Sequence, residues 1–459
     1  MEDEIIATLD IEKAVELAEQ KKYYDLRQML IEAEPADIAL FMDDIAEESR
    51  PAIFRILPKE LASEVFVEFD SDTQEALIRS FNDKELKIIF DDLYLDDTVD
   101  IIEEMPAFIV TRILSSATKE NRAQINQLLS YPEDSAGSIM TTEFVNLRPT
   151  MKVSEALEHI RKVGIDSETV YYCYVTENRK LIGAVTALNL ILSDPDVLVS
   201  DIMVDNVISV ETTTDQQETA EMIRRYDFLA LPVVDKENRL VGIVTVDDAI
   251  DVIQEEGEED IEIMAAMTPS DKPYLKTSAV KIWLNRIPWL LLLMVSATFT
   301  GIIISSFEDA LGKMVVLTAF IPMLMDTGGN AGSQSSVTII RGISLGEITF
   351  SDILSVVWKE FRVSILCGIA LAVATFGKIM LVDRLIMGNA DVSVMVAFAV
   401  CGALALTVIC AKIIGCTLPM LAKKIGFDPA VMASPFITTI VDAVSLLLYF
   451  TFAKTLLGL

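Results

Sequence analysis

The alternation of apolar and polar positions divides the chain into stretches of different period. Up to about residue 136, runs such as "DIALFMDDI", "ELASEVFVEF", "TQEALIRSF", "ELKIIFDDL" and "TVDIIEEM" recur every 14 to 20 residues, with apolar positions three and four apart. That period predicts short amphipathic helices, which Pro58 and Pro106 punctuate. Such helices bury their apolar stripes only by stacking, so residues 1–136 are predicted to form an all-α superhelical domain.

From 137 to 254 the pattern becomes that of strands, and it repeats. "YVTENRKLIGAVTALNLI" (174–191) matches "VVDKENRLVGIVTVDDAI" (233–250), and "SIMTTEFVNLRPTMKVSEALEHIRK" upstream of the first matches "DIMVDNVISVETTTDQQETAEMIRR" upstream of the second. Each copy predicts strand, helix, strand, strand, helix, with the last strand closing on Gly-x-Val-Thr. Two such copies in tandem (137–199 and 200–254) resemble a pair of CBS domains. The resemblance implies an α/β module that senses adenine nucleotides or relays a signal. "DVIQEEGEEDIEIMAAMT" (251–268) then predicts a charged helix, with Gly257 as a hinge or break, in a linker spanning 255–278. Its acids are either a solvated face or part of a lever.

The last part, 279–459, holds five apolar runs: 281–306, 312–339, 354–382, 393–422 and 431–457. Each exceeds the roughly 20 helical residues that cross a hydrocarbon core of about 30 Å. Arg341, Lys359, Arg362, Lys423 and Lys424 put the second and fourth loops in the cytosol, beside a cytosolic N-terminus and with the C-terminus outside. The start, "MEDEIIATLDIEKAVELAEQ", lacks the basic flank and apolar run of a signal peptide.

Charge sharpens this division. Up to residue 269 there are 59 acids and 23 bases; from 270 there are 11 and 14. A part so acidic repels nucleic acid and attracts cations, divalent ones most strongly. His159, on the face of "VSEALEHIRKV", is the single histidine, and Cys173, Cys367, Cys401, Cys410 and Cys416 show no CxxC spacing. Histidine-based metal or triad chemistry and a disulfide framework are thereby disfavoured, and no catalytic constellation is predicted.

Polar residues inside apolar runs mark the chemistry. "PMLMDTGGNAGSQSS" (322–336) carries Asp326, Asn330, Gln334, four hydroxyls and three glycines. "TTIVDAVSLLLYF" (438–450) carries Asp442 in mid-span, with Thr438 and Thr439 one turn before it, and Lys412 lies in "CAKIIGCTLPM". Asp442 either pairs with Lys412 or faces a hydrated pore. The glycines either let helices approach or allow the chain to unwind and expose carbonyls. Asn330 and Gln334, four apart, share a face that packing alone does not explain. Every donor is an oxygen, which disfavours zinc and copper, and one carboxylate per chain suits a hydrated Mg²⁺ better than a Ca²⁺ cage.

With these motifs the whole chain resembles the MgtE family of magnesium transporters. "PMLMDTGGNAGSQ" and "GFDPAVMASPFITTIVDAVSL" carry the likeness in the membrane part. It implies a homodimeric channel for Mg²⁺ in the plasma membrane, in contact with lipid and shut by Mg²⁺ bound between cytosolic domains through a linker, or plug, helix. The pore metal site falls on Asp442 and Asn330. The gating acids fall on Glu64, Asp96, Asp97, Asp215, Asp227, Asp248, Asp251, Glu256, Glu259, Asp260 and Asp428. ATP, as a regulatory ligand, falls on Tyr171, Asn189, Phe228 and Pro232. The chain departs from the pattern at Asn189, which stands where CBS sites carry a ribose-binding Asp; the second copy keeps Thr245 and Asp248. Ser445 replaces a glycine and Ser434 an asparagine of other members, and Asp326 adds an unassigned acid. A broader Mn²⁺ or Co²⁺ transporter, and a membrane-anchored CBS sensor that conducts nothing, are the alternatives.

Overall fold

A computed structural model describes residues 9–165, 167–270, 274–389 and 391–458. The chain divides into two compact units, Met1–Ile253 and Gln254–Leu459. The start of the chain, 1–8, and linker residues 271–273 lie outside the described residues.

The first unit opens with ten short α-helices between Ile11 and Leu128. Their starts were written locally. Asp10, Asp70 and Thr118 cap backbone amides with side-chain oxygens, Asn82 and Glu85 form a capping box, and Pro58 and Pro106 immediately precede helices. Phe54 packs on Phe66, Phe69 and Phe81 at its centre. The core does not stop at 136: it continues through Met140, at the start of the first repeat, and through Val210, Leu231, Val233, Val244 and Val252 of the second.

Each repeat folds as predicted. In the first, β1 (Phe144–Leu147) lies parallel to β2 (Thr169–Glu177), which pairs antiparallel with β3 (Lys180–Thr186); β4 (Val210–Glu211), β5 (Ala230–Val234) and β6 (Leu240–Thr245) repeat that order. The duplicated Ile-Met segments are exchanged. Thr141 bridges to Ile243 of β6, and Val204 to Ala184 of β3. The duplicated glycines explain why. A Cβ on Gly242 would stand 2.5 Å from Met140 Sδ, and one on Gly183 2.7 Å from Met203 Sδ, so each glycine admits the other repeat's methionine.

One helix, Val246–Met264, closes the second repeat and runs on into the second unit. Two expectations are corrected here. The helix passes through Gly257 without a break, and it ends at Met264 rather than running on to 268.

In the second unit, helices Ala279–Ser306, Phe350–Ile386, Val394–Lys424 and Pro429–Leu457 are long and apolar enough to cross a membrane. The run expected at 312–339 is shifted. Residues Val315–Phe320 form a 3-10 turn and the α-helix covers Ile321–Ser344, whose polar residues set it apart from the other four. Helix Val394–Lys424 is central, packing on Ile321–Ser344, Ile353–Lys378 and Ser434–Leu457.

Candidate cation pathway and acidic clusters

The helix Ile321–Ser344 has two faces with different tasks. Gly328, Gly329, Gly332, Ser335 and Ser336 are buried, whereas Asp326, Asn330, Gln334 and Thr338 are exposed on the single chain. The glycines serve close approach. A Cβ on Gly328 would lie 2.8 Å from Ser445 Oγ, and one on Gly332 2.8 Å from Ile437 Cγ2. Unwinding is not seen: the helix is continuous through "TGGNAG". The exposed stripe offers oxygens and little packing, and Asn330 Nδ2 donates to Asp326 Oδ1 at 3.2 Å.

Asp442 lies half-buried on the helix Ser434–Leu457, near enough to Asp326 for their charges to interact. Its Oδ1 is buried without a hydrogen-bond partner among the described residues, and so is Thr407 Oγ1. The pairing of Asp442 with Lys412 is overturned, because Lys412 Nζ is engaged by Ser335 Oγ at 3.2 Å and by Glu360 Oε2 at 3.8 Å. An unpaired carboxylate in an apolar bundle calls for water or a cation. Thr439 Oγ1 bonds back to its own helix at Pro435 O, and the Ser434 side chain lies outside the described residues.

The first unit gathers a second set of acids. Asp96 is buried, with Oδ1 lacking a hydrogen-bond partner among the described residues. Burial, then the charges of Asp97, Asp248 and Glu168, hold its carboxyl well above the usual range. Asp97 is pushed up to about 7 by burial and by Asp248, Asp247, Glu143 and Glu68. Glu168 is pushed up to about 8 by burial and by Asp247, Asp97 and Asp248. Asp248 is raised by burial, an effect moderated by the Thr245 hydroxyl donating to its Oδ2 at 2.6 Å. Asp251 is raised by burial and Asp247. Asp96, Asp97, Asp248 and Asp251 are thus brought together, along with Glu68, Glu143, Glu168 and Asp247, which sequence reading missed. Only their tertiary position identifies those four. No three acids among the described residues converge tightly enough to hold an ion.

Other expected gating residues stand apart. Asp215 caps the helix Gln216–Tyr226, accepting from Gln217 N and Glu218 N, and Asp227 ends that helix in the left-handed region. Glu64 is exposed on the helix Lys59–Val67, and Glu256 and Glu259 lie on the long helix Val246–Met264. In the second unit Asp260 accepts from Ser344 Oγ at 3.2 Å. Burial raises its pKa against that bond, with Asp428 adding to the rise and Lys423 opposing it. Asp428 caps the turn Pro429–Met432, and Ile263 and Met264 pack on Ile340, Ala430 and Ala433.

Among the nucleotide candidates, Tyr171 is exposed and lies near the end of β2 where Tyr172 pairs with Thr186, ahead of exposed Asn189. Phe228 stacks on Tyr226 with centroids 5.5 Å apart. Pro232 is buried opposite Ile243, and Tyr174 Oη donates to Ala230 O at 3.2 Å, joining the two sheets.

A carboxylate with no counter-charge among the described residues in an apolar helical bundle, with an acidic helical domain and a CBS pair in the same chain, is the combination expected of a membrane protein that handles cations. A family model described as a divalent cation transporter matches residues 321–452, the MgtE intracellular N domain matches 33–134, and CBS domains match 136–194 and 199–255. The magnesium transporter MgtE of Thermus thermophilus is 35% identical over 438 residues, covering 94% of this chain and 95% of that one. MgtE of Bacillus subtilis is 34% identical over 452 residues, covering 98% and 97%. The crystal structure of the cytosolic domain of the Mg²⁺ channel MgtE in complex with ATP matches at 37% identity and a TM-score of 0.50, over 52% of this chain and 99% of that one. The chain belongs to the MgtE family of magnesium transporters, and its MgtE relatives are transporters rather than enzymes.

Proposed function

We propose that the protein is a Mg²⁺-selective channel that takes up Mg²⁺ across the plasma membrane as a homodimer, and that Mg²⁺ bound to its acidic parts closes it. The single observation that carries this reading is the unpartnered buried oxygen of Asp442 beside the exposed Asp326–Asn330 stripe. A helix that merely anchored a sensor has no use for that charge. One chain supplies one such acid, so the pore lies on or near a two-fold axis. All five helices cross the bilayer, Ile321–Ser344 included, since at about 1.5 Å per residue its 24 residues reach far enough. The N-terminus is then cytosolic and the C-terminus outside. The boundaries 1–136, 137–254, 255–278 and 279–459 separate helical domain, CBS pair, linker and membrane domain.

Gating follows from charge. Without metal, the acids around Asp96, Asp97 and Asp248 repel one another and keep their protons; divalent ions relieve that repulsion and favour the closed arrangement. Asp260 and Asp428 act likewise where the linker meets the membrane helices. ATP binding between Tyr171, Asn189, Phe228 and Pro232 is supported by the ATP complex of the solved relative. The test is flux: full-length protein in liposomes should pass Mg²⁺ down its gradient and shut as Mg²⁺ on the cytosolic face rises. Liposomes no leakier than empty ones would leave the non-conducting sensor as the better reading, and equal Mn²⁺ or Co²⁺ flux the broader transporter.

A further inference from the structure

Three polar side chains that the pore reading does not use meet inside the apolar bundle. Lys412, midway along the helix Val394–Lys424, is 5% exposed. Its Nζ donates to Ser335 Oγ at 3.2 Å and lies 3.8 Å from Glu360 Oε2, while Ser335 Oγ donates to that same oxygen at 2.7 Å. The hydroxyl therefore bridges the two charges, and each residue sits on a different helix. Ser336, next in the chain, donates to Met432 O at 2.6 Å, in the turn that leads into the Asp442 helix. One turn from Ser335, Gly332 meets Gly415 so closely that a Cβ on Gly415 would stand 2.2 Å from Gly332 O.

These contacts fix one degree of freedom, the rotation of the helix Ile321–Ser344. Adjacent residues differ by about 100° around a helix axis. A one-residue turn would pull Ser335 from the ion pair, pull Ser336 from Met432, and swing Asn330 off the open face. The Lys412–Glu360 pair is costly to break from one side only, because either charge left alone in the bundle is uncompensated.

We propose that Lys412, Glu360 and Ser335 are positioning residues for ion passage. Their bridged ion pair sets the rotation at which the Asn330 carboxamide and the Asp442 carboxylate serve the same ion. The inference rests on the pore reading. It assigns Glu360, which no sequence motif marked, and gives Lys412 a task other than neutralising Asp442.

The experiment measures half-saturating Mg²⁺ and maximal flux per folded protein in liposomes, for Glu360→Gln, Lys412→Met, both together, Ser335→Ala and Ser335→Thr. Each charge variant alone should raise half-saturating Mg²⁺ roughly tenfold, and the double variant should regain most of that, since neither charge is then stranded. Ser335→Ala should shift it less, and Ser335→Thr should restore it. Half-saturation equal to the parent in every variant overturns the inference, as does a double variant no better than the worse single one. If the single charge variants fail to fold, Ser335→Ala decides alone: a shift supports the inference and parental half-saturation ends it. Asp442→Ala is run alongside. Parental flux from that variant sinks the pore reading itself, whereas its loss beside unaffected positioning variants sinks only this inference.

Discussion

At the scale of single residues, the environment of a charge decides its role. Asp97 and Glu168 are the same chemistry as Asp215, yet Asp215 is committed to capping a helix while burial and like charges push the other two up to about 7 and about 8. Their titration predicts the pH dependence of the first unit. Between about pH 4 and pH 8 the folded unit keeps protons that the unfolded chain has released, so its stability falls as pH rises through that window. Hydrogen exchange of the full-length protein without divalent ions should show the amides around Leu95–Glu104 less protected at pH 8 than at pH 6, after correction for intrinsic rates, with Mg²⁺ removing the difference. Protection that is flat, or higher at pH 8, would show that these acids do not repel one another. Packing sets the next prediction. Gly415→Ala puts a methyl group into the Gly332 carbonyl, where overpacking costs about 1–3 kcal/mol or more; a clear drop in the melting temperature of the purified protein checks it. The short helices punctuated by Pro58 and Pro106 were legible from local spacing. The Glu360–Lys412 pair was not, because 52 residues separate its members and no local pattern joins them.

At the scale of elements, period was a good guide and single glycines were a poor one. Both strand-helix-strand-strand-helix repeats follow the alternation in the sequence, and the duplicated Ile-Met pieces were visible as a motif. Their exchange between the repeats was not, since it depends on which glycine admits which methionine. Gly257 read as a hinge or a break; the helix is continuous through it, which removes the break. Gly257→Ala should therefore stabilise that helix, by about 0.5–1 kcal/mol, seen as slower amide exchange over 254–264. Faster exchange there would mean that the glycine serves a bend this arrangement does not hold. The stretch "TGGNAG" offered packing or unwinding, and the helix uses its glycines for packing and its remaining residues for an exposed polar stripe. Sequence spacing separated those faces correctly once the helix was taken as unbroken.

At the scale of the whole molecule, the uneven charge was the most legible feature. The acids gather in the part before residue 270, and those around Asp96, Asp97, Glu168 and Asp248 in the first unit act on one another's charge. Neutralising Asp248, Asp251, Glu259 and Asp260 together should leave conduction intact and raise the cytosolic Mg²⁺ needed for closure, because losing several acids weakens the attraction for divalent ions more than losing one. Single-channel recordings at rising Mg²⁺ check this; closure at the parental concentration would reduce these acids to a solubilising surface. Mg²⁺ uptake by cells that lack their own transporters, carrying Asp442→Ala or Asp442→Asn at parental abundance in the membrane, is the most direct measurement. Both variants should lose uptake, the asparagine because it keeps size and loses charge; uptake at the parental rate by either would contradict a pore built on Asp442.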